Sequence, residues 1–197
     1  MRQQNSPRFN PEPNWSDWRQ RSHMQIPSPV ASWLGDKGSL TQRVIQCCGA
    51  GEFKVRLLYQ GWGTPLNSEY RILRMRRGML AMVRDVELRC NDIPWVFART
   101  LIPISSLKGA AQRLTQLGEK PLGAVLFSDA KVIRGATQVA RLLPGQPLFE
   151  TACNHLPKKP NRLWGRRTLF YIQKRPLLVN EVFLPNLEVE FNDKSTG

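Results

Sequence analysis

A single carboxylate lies in the middle of an almost wholly apolar predicted strand near the C-terminus. Residues 176–185 read Pro-Leu-Leu-Val-Asn-Glu-Val-Phe-Leu-Pro, with prolines at both ends. Side chains of a strand alternate between its two faces, so Glu181 lies on one face with three apolar residues, Leu177, Val179 and Phe183. An ionised group there is costly unless another group pairs with it. We therefore interpret Glu181 as a candidate functional residue, with a strand-end carboxylate that reaches solvent as the alternative.

A charge of the opposite sign occupies a comparable position in residues 80–90. This segment alternates well enough for both faces of a strand to be assigned. One face holds five apolar residues and Arg84, whereas Asp85, Glu87 and Arg89 lie on the other. Arg84 therefore points inward, and its planar guanidinium suits a carboxylate. Two interpretations stay open: a structural ion pair between Arg84 and Glu181, or a site in which both bind a small anion that carries a hydroxyl.

Composition and charge define the class of protein. The chain has 197 residues, of which 41% are hydrophobic, which is enough for the core of one domain. Its formal net charge of +14 favours an anionic partner, but charge alone does not distinguish nucleic acid, a membrane surface and a metabolite. Arg71, Arg74, Arg76 and Arg77 fall in a predicted loop without interleaved aromatic residues. They are interpreted as a solvated rim rather than a base-reading surface.

The sequence lacks the features of secreted, membrane-spanning and metal-binding proteins. It has no run of 18 or more apolar residues and no N-terminal secretory signal, so a cytoplasmic protein without membrane insertion is expected. The four cysteines, Cys47, Cys48, Cys90 and Cys153, show no CxxC spacing, and the two histidines are far apart. This pattern predicts neither a zinc site nor a disulfide framework, and free, reduced thiols are expected.

Hydrophobic patterns predict an α+β fold. Residues 53–59 alternate as a half-buried strand. One predicted hairpin joins the Arg84 strand to residues 95–103, and a second joins residues 168–173 to 176–184. Because hairpins are interspersed with helical segments, we expect a single domain on an antiparallel sheet with helices on one face.

Helices and chain ends complete the prediction. Ser39 and Gln42 form a capping box for a short helix that ends near Gly49. Helical spacing predicts a helix over residues 107–117 and another around 136–143. Residues 1–30 are rich in Pro, Asn, Gln, Ser and Arg and are predicted to form a disordered tail, although Trp15 and Trp18 offer groups that can dock. The domain is then expected over residues 31–188, with a short C-terminal tail at 189–197.

Five short segments carry a recognisable pattern. They are Val83–Val86, Pro94–Pro103, Leu117–Gly123, Leu163–Arg167 and Lys174–Pro185. In this order, over residues 32 to 185, they resemble the bacterial chorismate pyruvate-lyases, the 4-hydroxybenzoate synthases of ubiquinone biosynthesis. The order and spacing of the segments make the resemblance specific.

The resemblance implies a monomeric enzyme whose helical flaps close over a buried site that needs no metal or cofactor. It matches Arg84 to the family's ligand-binding arginine and Glu181 to its acidic partner. Leu122 and Leu40 match positions that contact the ligand through the backbone.

The implied activity is the elimination of pyruvate from chorismate to give 4-hydroxybenzoate. Chorismate carries two carboxylates and a ring hydroxyl, so Arg84 is assigned to a carboxylate and Glu181 to the hydroxyl. Aromatisation drives the reaction, so positioning and electrostatics can do much of the work. Two other classes stay open. One is a non-catalytic effector-sensing domain of the same fold; the other is a basic nucleic-acid-binding protein, which leaves the inward Arg84 and Glu181 unexplained.

Overall fold

The framework of the protein is an antiparallel sheet. The computed structural model describes residues 12–123, 126 and 132–187. Its seven strands are β1 (Ser16–Asp17), β2 (Phe53–Gly63), β3 (Ala81–Cys90), β4 (Ile93–Pro103), β5 (Val132–Leu142), β6 (Leu163–Ile172) and β7 (Arg175–Phe183). Within these residues they form one sheet in the order β1-β5-β6-β7-β4-β3-β2. The predicted α+β class with an antiparallel sheet is confirmed.

Two tight hairpins at the centre of the sheet follow from local sequence. Asn91 and Asp92 join β3 to β4 with φ angles of 48° and 60°, and Gln173 and Lys174 join β6 to β7 with φ angles of 50° and 65°. Left-handed residues in a two-residue turn match the right-handed twist of the flanking strands, and Asn and Asp tolerate this conformation well. Both predicted hairpins are therefore confirmed.

Short helices connect and cover the strands. They are α1 (Ser28–Leu34), α2 (Leu40–Cys48), α3 (Asn67–Ile72) and α4 (Pro147–Cys153), with 3-10 helices at Trp18–Met24, Ile104–Ser106 and Gly109–Gln116. The hydroxyl of Ser39 accepts a hydrogen bond from the Gln42 amide at 3.4 Å, and α2 ends at Gly49, as predicted. No helix in the described ranges is both long enough and apolar enough to cross a bilayer.

Three elements differ from the sequence prediction. Residues 136–143 belong largely to β5, because antiparallel pairing with β6 overrides the weak helical spacing. The helix expected over 107–117 is a 3-10 helix at Gly109–Gln116. Arg71 lies in α3 rather than in a loop.

Helices cover both faces of the sheet rather than the one face expected. We call the face that carries Arg84 and Glu181 the front face, and the face that carries Asp85 and Asn180 the back face. α1 and α2 pack on the front face against apolar residues of β3 and β7, together with Leu114 of the third 3-10 helix. α4 packs on the back face, and Leu73, at the end of α3, does the same. The front and back assignments of β3 and β7 agree with the predicted alternation.

The predicted N-terminal tail is wrong for residues 12–30, which are part of the domain. Ser16 and Asp17 add a short strand beside β5, and Trp18 packs against the front-face core. A Cβ at Gly35 would overlap the Trp18 ring, so glycine permits this close approach. The indole of Trp15 lies under the Arg167 guanidinium, 4.5 Å from the ring centroid. The rest of the predicted tails, residues 1–11 and 189–197, lies outside the described residues.

The expectation of four free thiols is also wrong, because Cys48 and Cys90 form a disulfide. Cys48 is the last residue of α2, and β2 begins only a few residues later beside the end of β3, where Phe53 pairs with Cys90. This return of the chain brings the two Cα atoms within 5.7 Å despite a sequence separation of 42. Spacing along the sequence carries no sign of it. Cys47 and Cys153 are not in a disulfide.

A buried polar network holds the back face of the sheet. Arg99 pairs with Asp85 at 3.0 Å and lies 3.5 Å from Glu69, which also accepts hydrogen bonds from the Leu66 amide and Asn180. Burial raises the pKa of Asp85 to about 6, against the opposing effect of Arg99. Burial also raises the pKa of Glu69. The back face thus holds a buried ionic network in which the protonation of Asp85 and Glu69 depends on pH.

Asp85 predicts a specific pH dependence of stability. Because its pKa rises from 3.8 in the unfolded chain to about 6 in the folded protein, the folded state binds the proton more tightly. The stability that protonation contributes is present below pH 4 and is lost as the pH rises to 6. Asp85→Asn removes this titration. Between pH 5 and 7.5, the wild-type free energy of unfolding should therefore fall by about 1 kcal/mol relative to the variant.

Denaturant titrations of both proteins at the two pH values measure this difference directly. A difference between wild type and variant that stays constant with pH would show that Asp85 does not titrate in this range.

Candidate active site

A cavity lies between the front face of the sheet and the segments that cover it. Its walls include residues 38–41 at the start of α2, residues 121–123 and Leu126. It encloses about 590 Å³ of space free of protein atoms, part of it open to solvent. Most of the lining is apolar, and the charged residues among the described part of the lining are Arg84, Arg134, Arg166 and Glu181. A concave, mostly apolar site with a few convergent polar groups is typical of small-molecule binding.

Glu181 pairs with an arginine that the sequence analysis did not single out. It lies on β7 opposite Arg166 of β6. The Arg166 Nη2 is 3.3 Å from Oε1 of Glu181, and its Nε donates to Oε2. Arg166 is 1% exposed and the Glu181 side chain 13%, so the pair is largely shielded from solvent. The counter-charge of Glu181 is therefore Arg166 and not Arg84.

Arg84 is buried, and no carboxylate among the described residues pairs with it. It is 4% exposed, and its Nη2 donates to the carbonyl oxygens of Gly118 at 2.8 Å and Lys120 at 2.9 Å. Its buried Nε has no hydrogen-bond partner among the described residues. Burial lowers the pKa of Arg84, but an arginine stays charged at neutral pH. The proposed ion pair between Arg84 and Glu181 is thus absent from the described residues, and Arg84 presents an unmatched positive charge to the cavity.

Strand register sets the separation of Arg84 and Glu181. Arg84 pairs with Thr100 of β4, which pairs with Val179 of β7, two residues before Glu181. With strands about 4.8 Å apart and about 3.3 Å per residue, the two Cα atoms are roughly 12 Å apart. Their side chains therefore reach the cavity from opposite ends.

The loop between α1 and α2, residues 35–39, is the cover over the Glu181 end. Arg166 Nη1 donates to the carbonyl oxygens of Trp33 at 2.9 Å and Asp36 at 2.6 Å. Arg134 donates to the Lys37 carbonyl and, at 3.3 Å, to the Asp36 carbonyl. Two arginines from neighbouring strands thus hold the cover through its backbone.

The side chain of Asp36 shapes the cover from the outside. It accepts hydrogen bonds from the Gly38 amide at 2.7 Å and from Arg43 at 3.0 Å. Partial burial acts to raise the pKa of Asp36, but these two bonds, together with the charges of Arg43 and Arg166, outweigh it and lower the pKa. The Asp36 carboxylate therefore stabilises the turn, while the Asp36 backbone carbonyl accepts hydrogen bonds from Arg134 and Arg166.

All four residues expected at the site line the same cavity. Arg84 and Glu181 come from the front face of the sheet, and Leu40 and Leu122 come from the covering segments. Leu40 follows Ser39 in the first turn of α2, where amides have no acceptor within the helix. Leu122 follows Pro121 in the second cover, beside the loop whose carbonyls Arg84 holds. The position of both leucines suits contact with a ligand through the backbone.

Arg134 and Arg166 were missed, for different reasons. Arg166 lies on an apolar strand, Leu163–Ile172, and the alternation that identified Glu181 also places Arg166 on the front face. Arg134 falls in a segment whose strand character was not recognised, so no alternation was assigned to it.

Comparison with known proteins identifies the family. A family model described as "Chorismate lyase" matches residues 12–190. The chain belongs to the chorismate lyase family. A relative from Nitrosomonas europaea, "Probable chorismate pyruvate-lyase", is 39% identical over 81% of this chain and 92% of its own. A relative of the same name from Methylococcus capsulatus is 41% identical over 79% of this chain and 94% of its own.

Solved structures share the fold of this chorismate lyase family member. The effector domain of PhnF from Mycobacterium smegmatis has a TM-score of 0.52 at 14% identity, covering 76% of this chain and 90% of that domain. A GntR-family transcriptional regulator from Bacillus cereus has a TM-score of 0.50 at 13% identity, covering 68% of this chain and 93% of its own. At these identities the likeness concerns the fold alone.

The buried Arg166–Glu181 pair leads to a stability prediction. Glu181→Gln leaves Arg166 buried without its counter-charge, and the free energy of unfolding should fall by about 3 kcal/mol. The double variant with Arg166→Met removes the stranded charge and should recover part of the loss. Recovery will be incomplete, because Arg166 also holds the Trp33 and Asp36 carbonyls.

Denaturant unfolding without ligand measures all three proteins. The matched control is Glu150→Gln, which breaks the exposed pair between Glu150 and Lys159 and should not change stability measurably. If Glu181→Gln behaves like Glu150→Gln, the buried pair contributes nothing to the fold.

Proposed function

We propose that this protein is a chorismate pyruvate-lyase that converts chorismate to 4-hydroxybenzoate and pyruvate for ubiquinone biosynthesis. Membership of the chorismate lyase family supports this, as do the names of its relatives. The observation that carries the proposal is that one mostly apolar cavity has Arg84, which no described carboxylate neutralises, at one end and the carboxylate of Glu181 at the other.

The substrate matches this separation of charges. Chorismate has a carboxylate at one end of its ring and a hydroxyl at the other, with an enolpyruvyl ether on the carbon next to the hydroxyl. Arg84 binds the ring carboxylate through N–H groups that the Gly118 and Lys120 carbonyls do not use. Glu181 accepts a hydrogen bond from the ring hydroxyl. The backbone amides of Leu40 and Leu122 complete the contacts to the ligand.

The reaction breaks two bonds on adjacent ring carbons. The carbon that bears the hydroxyl loses its hydrogen as a proton, and the ether bond to the enolpyruvyl group breaks with its electron pair on oxygen. The ring becomes aromatic as 4-hydroxybenzoate, and the enol takes up a proton at carbon to become pyruvate. Glu181 is placed to fix the hydroxyl and to assist removal of the neighbouring proton. Arg166 keeps both oxygens of Glu181 in position for this.

Positioning and electrostatics supply most of the catalysis in this proposal. The mostly apolar walls lower the local dielectric, so the buried arginines act on the substrate more strongly than they would in water. Fixing the ring between Arg84 and Glu181 selects the conformer in which the ether bond is aligned for elimination. We also propose that the enzyme acts as a monomer, as its family resemblance implies, and that it acts in the cytoplasm without nucleic acid, as the sequence pattern predicts.

One assay tests the proposed function. Purified protein is mixed with chorismate, and pyruvate and 4-hydroxybenzoate are quantified together. Equimolar formation of both products, proportional to enzyme, is the expected result. Binding of chorismate without turnover would favour the alternative function, an effector-sensing domain, which the fold shared with regulators leaves open.

Arg84 leads to a kinetic prediction. Arg84→Ala and Arg84→Lys should both lower kcat/KM by roughly 30- to 1000-fold, because a lysine point charge does not reproduce the planar fork. The control is Arg56→Lys on β2, an exposed arginine outside the cavity lining, which should keep wild-type kinetics. Near-native kinetics for Arg84→Lys would mean that Arg84 serves only to hold the Gly118 and Lys120 carbonyls.

A further inference from the structure

Two guanidinium groups converge at the Glu181 end of the cavity. Nη1 of Arg166 lies 2.6 Å, and Nη2 of Arg134 3.3 Å, from the same carbonyl oxygen of Asp36. Glu181 is the carboxylate in the described lining, and it pairs with Arg166. The side chain of Asp36 is occupied by Gly38 and Arg43. Arg134 therefore brings a second positive charge to this end, and no carboxylate of the described residues lies within ion-pair distance of it.

The lining as a whole has more positive than negative charge. Arg84, Arg134 and Arg166 contribute three positive charges and Glu181 one negative charge, so the described lining carries a net charge of +2. Burial, and then the proximity of Arg166, lower the pKa of Arg134 against the opposing effects of Glu181 and Asp36. Like charges crowded in an apolar site are costly unless an anion joins them. The cavity is thus electrostatically suited to a dianion.

Arg134 has more free donors than Arg166. A guanidinium has five N–H donors. Arg166 uses four of them, two on Glu181 and one each on Trp33 and Asp36. Arg134 uses two, on Lys37 and Asp36, and its guanidinium lies over the Phe170 ring at 5.7 Å. No described residue uses the other three donors of Arg134, so they are free to bind a ligand while Arg134 still holds the cover.

Arg134 also lies between the cavity and a surface groove. The groove is lined by Trp18, Arg19, Lys37 and Thr137, among others, and Arg134 belongs to the lining of both. A group bound to Arg134 is therefore next to a route to solvent that does not pass Arg84.

We propose that Arg134 binds the second carboxylate of the substrate, the one carried by the ether-linked side chain. The inference rests on the proposed function. On the ring, that side chain is attached next to the hydroxyl that Glu181 binds, so its carboxylate must lie at the end where Arg134 and Arg166 converge. The substrate's two negative charges then match the net charge of the lining. Arg134 is a substrate-binding residue that selects a dianion over the monoanionic aromatic product, and the pyruvate it holds after elimination lies beside the groove.

Three stable aromatic ligands test this without turnover. 4-Hydroxybenzoate carries the ring carboxylate and hydroxyl; 3-(carboxymethoxy)-4-hydroxybenzoate adds an ether-linked carboxylate; 3-ethoxy-4-hydroxybenzoate has the same ether without the charge. Isothermal titration calorimetry gives Kd for each. Wild type should bind the carboxymethoxy compound roughly 10- to 100-fold more tightly than the ethoxy compound.

Arg134→Met should abolish that preference, whereas loosening of the cover should lower the affinity for all three ligands by a common factor. The matched control is Arg141→Met, which removes an exposed arginine from the same strand and should keep the wild-type preference. Arg134→Gln, which retains donors for the Lys37 carbonyl, replaces the Met variant if the latter does not fold.

An equal loss of affinity for all three ligands would overturn the proposal, because it would show that Arg134 only fastens the cover. A preference unchanged by Arg134→Met would overturn it as well. The proposed function is tested separately by pyruvate release from chorismate in wild type. Turnover without the ligand preference would support the proposed function and refute the Arg134 subsite. The ligand preference without turnover would refute the proposed function and support a subsite that binds a dianion.

Discussion

The closed site depends on arginines that reach from the sheet to backbone carbonyls of the covering loops. Arg84 holds the carbonyls of Gly118 and Lys120, and Arg166 and Arg134 hold those of residues 33–37. A flat sheet cannot enclose a ligand by itself, so its cover must be fastened at both ends. Carbonyl oxygens satisfy the donors of a guanidinium but carry only partial charge, so they leave most of its positive charge uncompensated. The interactions that close the cavity therefore also make it positive.

The two faces of the sheet use charge in opposite ways, although adjacent residues supply both. Arg84 and Asp85 are neighbours on β3, yet Arg84 enters the cavity and Asp85 joins Arg99 in the back-face network. Glu181 and Asn180 divide in the same way on β7, since Asn180 donates to Glu69. On the back face the carboxylates Asp85 and Glu69 share Arg99, whereas the front face has more arginines than carboxylates. Alternation thus lets one strand contribute to a paired structural layer and to an unpaired ligand site.

Features of this arrangement that depend on residues close in sequence could be predicted, and features that depend on contacts between distant residues could not. The facing of Arg84 and Glu181 depends only on the period of a strand, and the hairpin turns depend on adjacent residues, so both were predictable. The partner of Glu181 depends on the register between β6 and β7, and the Cys48–Cys90 disulfide depends on where α2 ends relative to β3. Neither leaves a local signal. Residues 136–143 and the Ser16–Asp17 strand were misjudged because their structure comes from pairing with β6 and β5, which local propensity does not encode.

Fastening the cover and binding an anion do not compete, because different N–H donors of the same arginine perform the two tasks. Arg84 donates from Nη2 to the two loop carbonyls, and no described residue accepts a hydrogen bond from its Nε or Nη1. Arg134 donates one N–H to each of two loop carbonyls, and its other three N–H donors are not used by any described residue. An aspartate or glutamate in place of the loop carbonyls would fasten the cover more tightly but would cancel the charge that a substrate carboxylate needs. Backbone acceptors on the covers are therefore what allow buried arginines to serve structure and binding together.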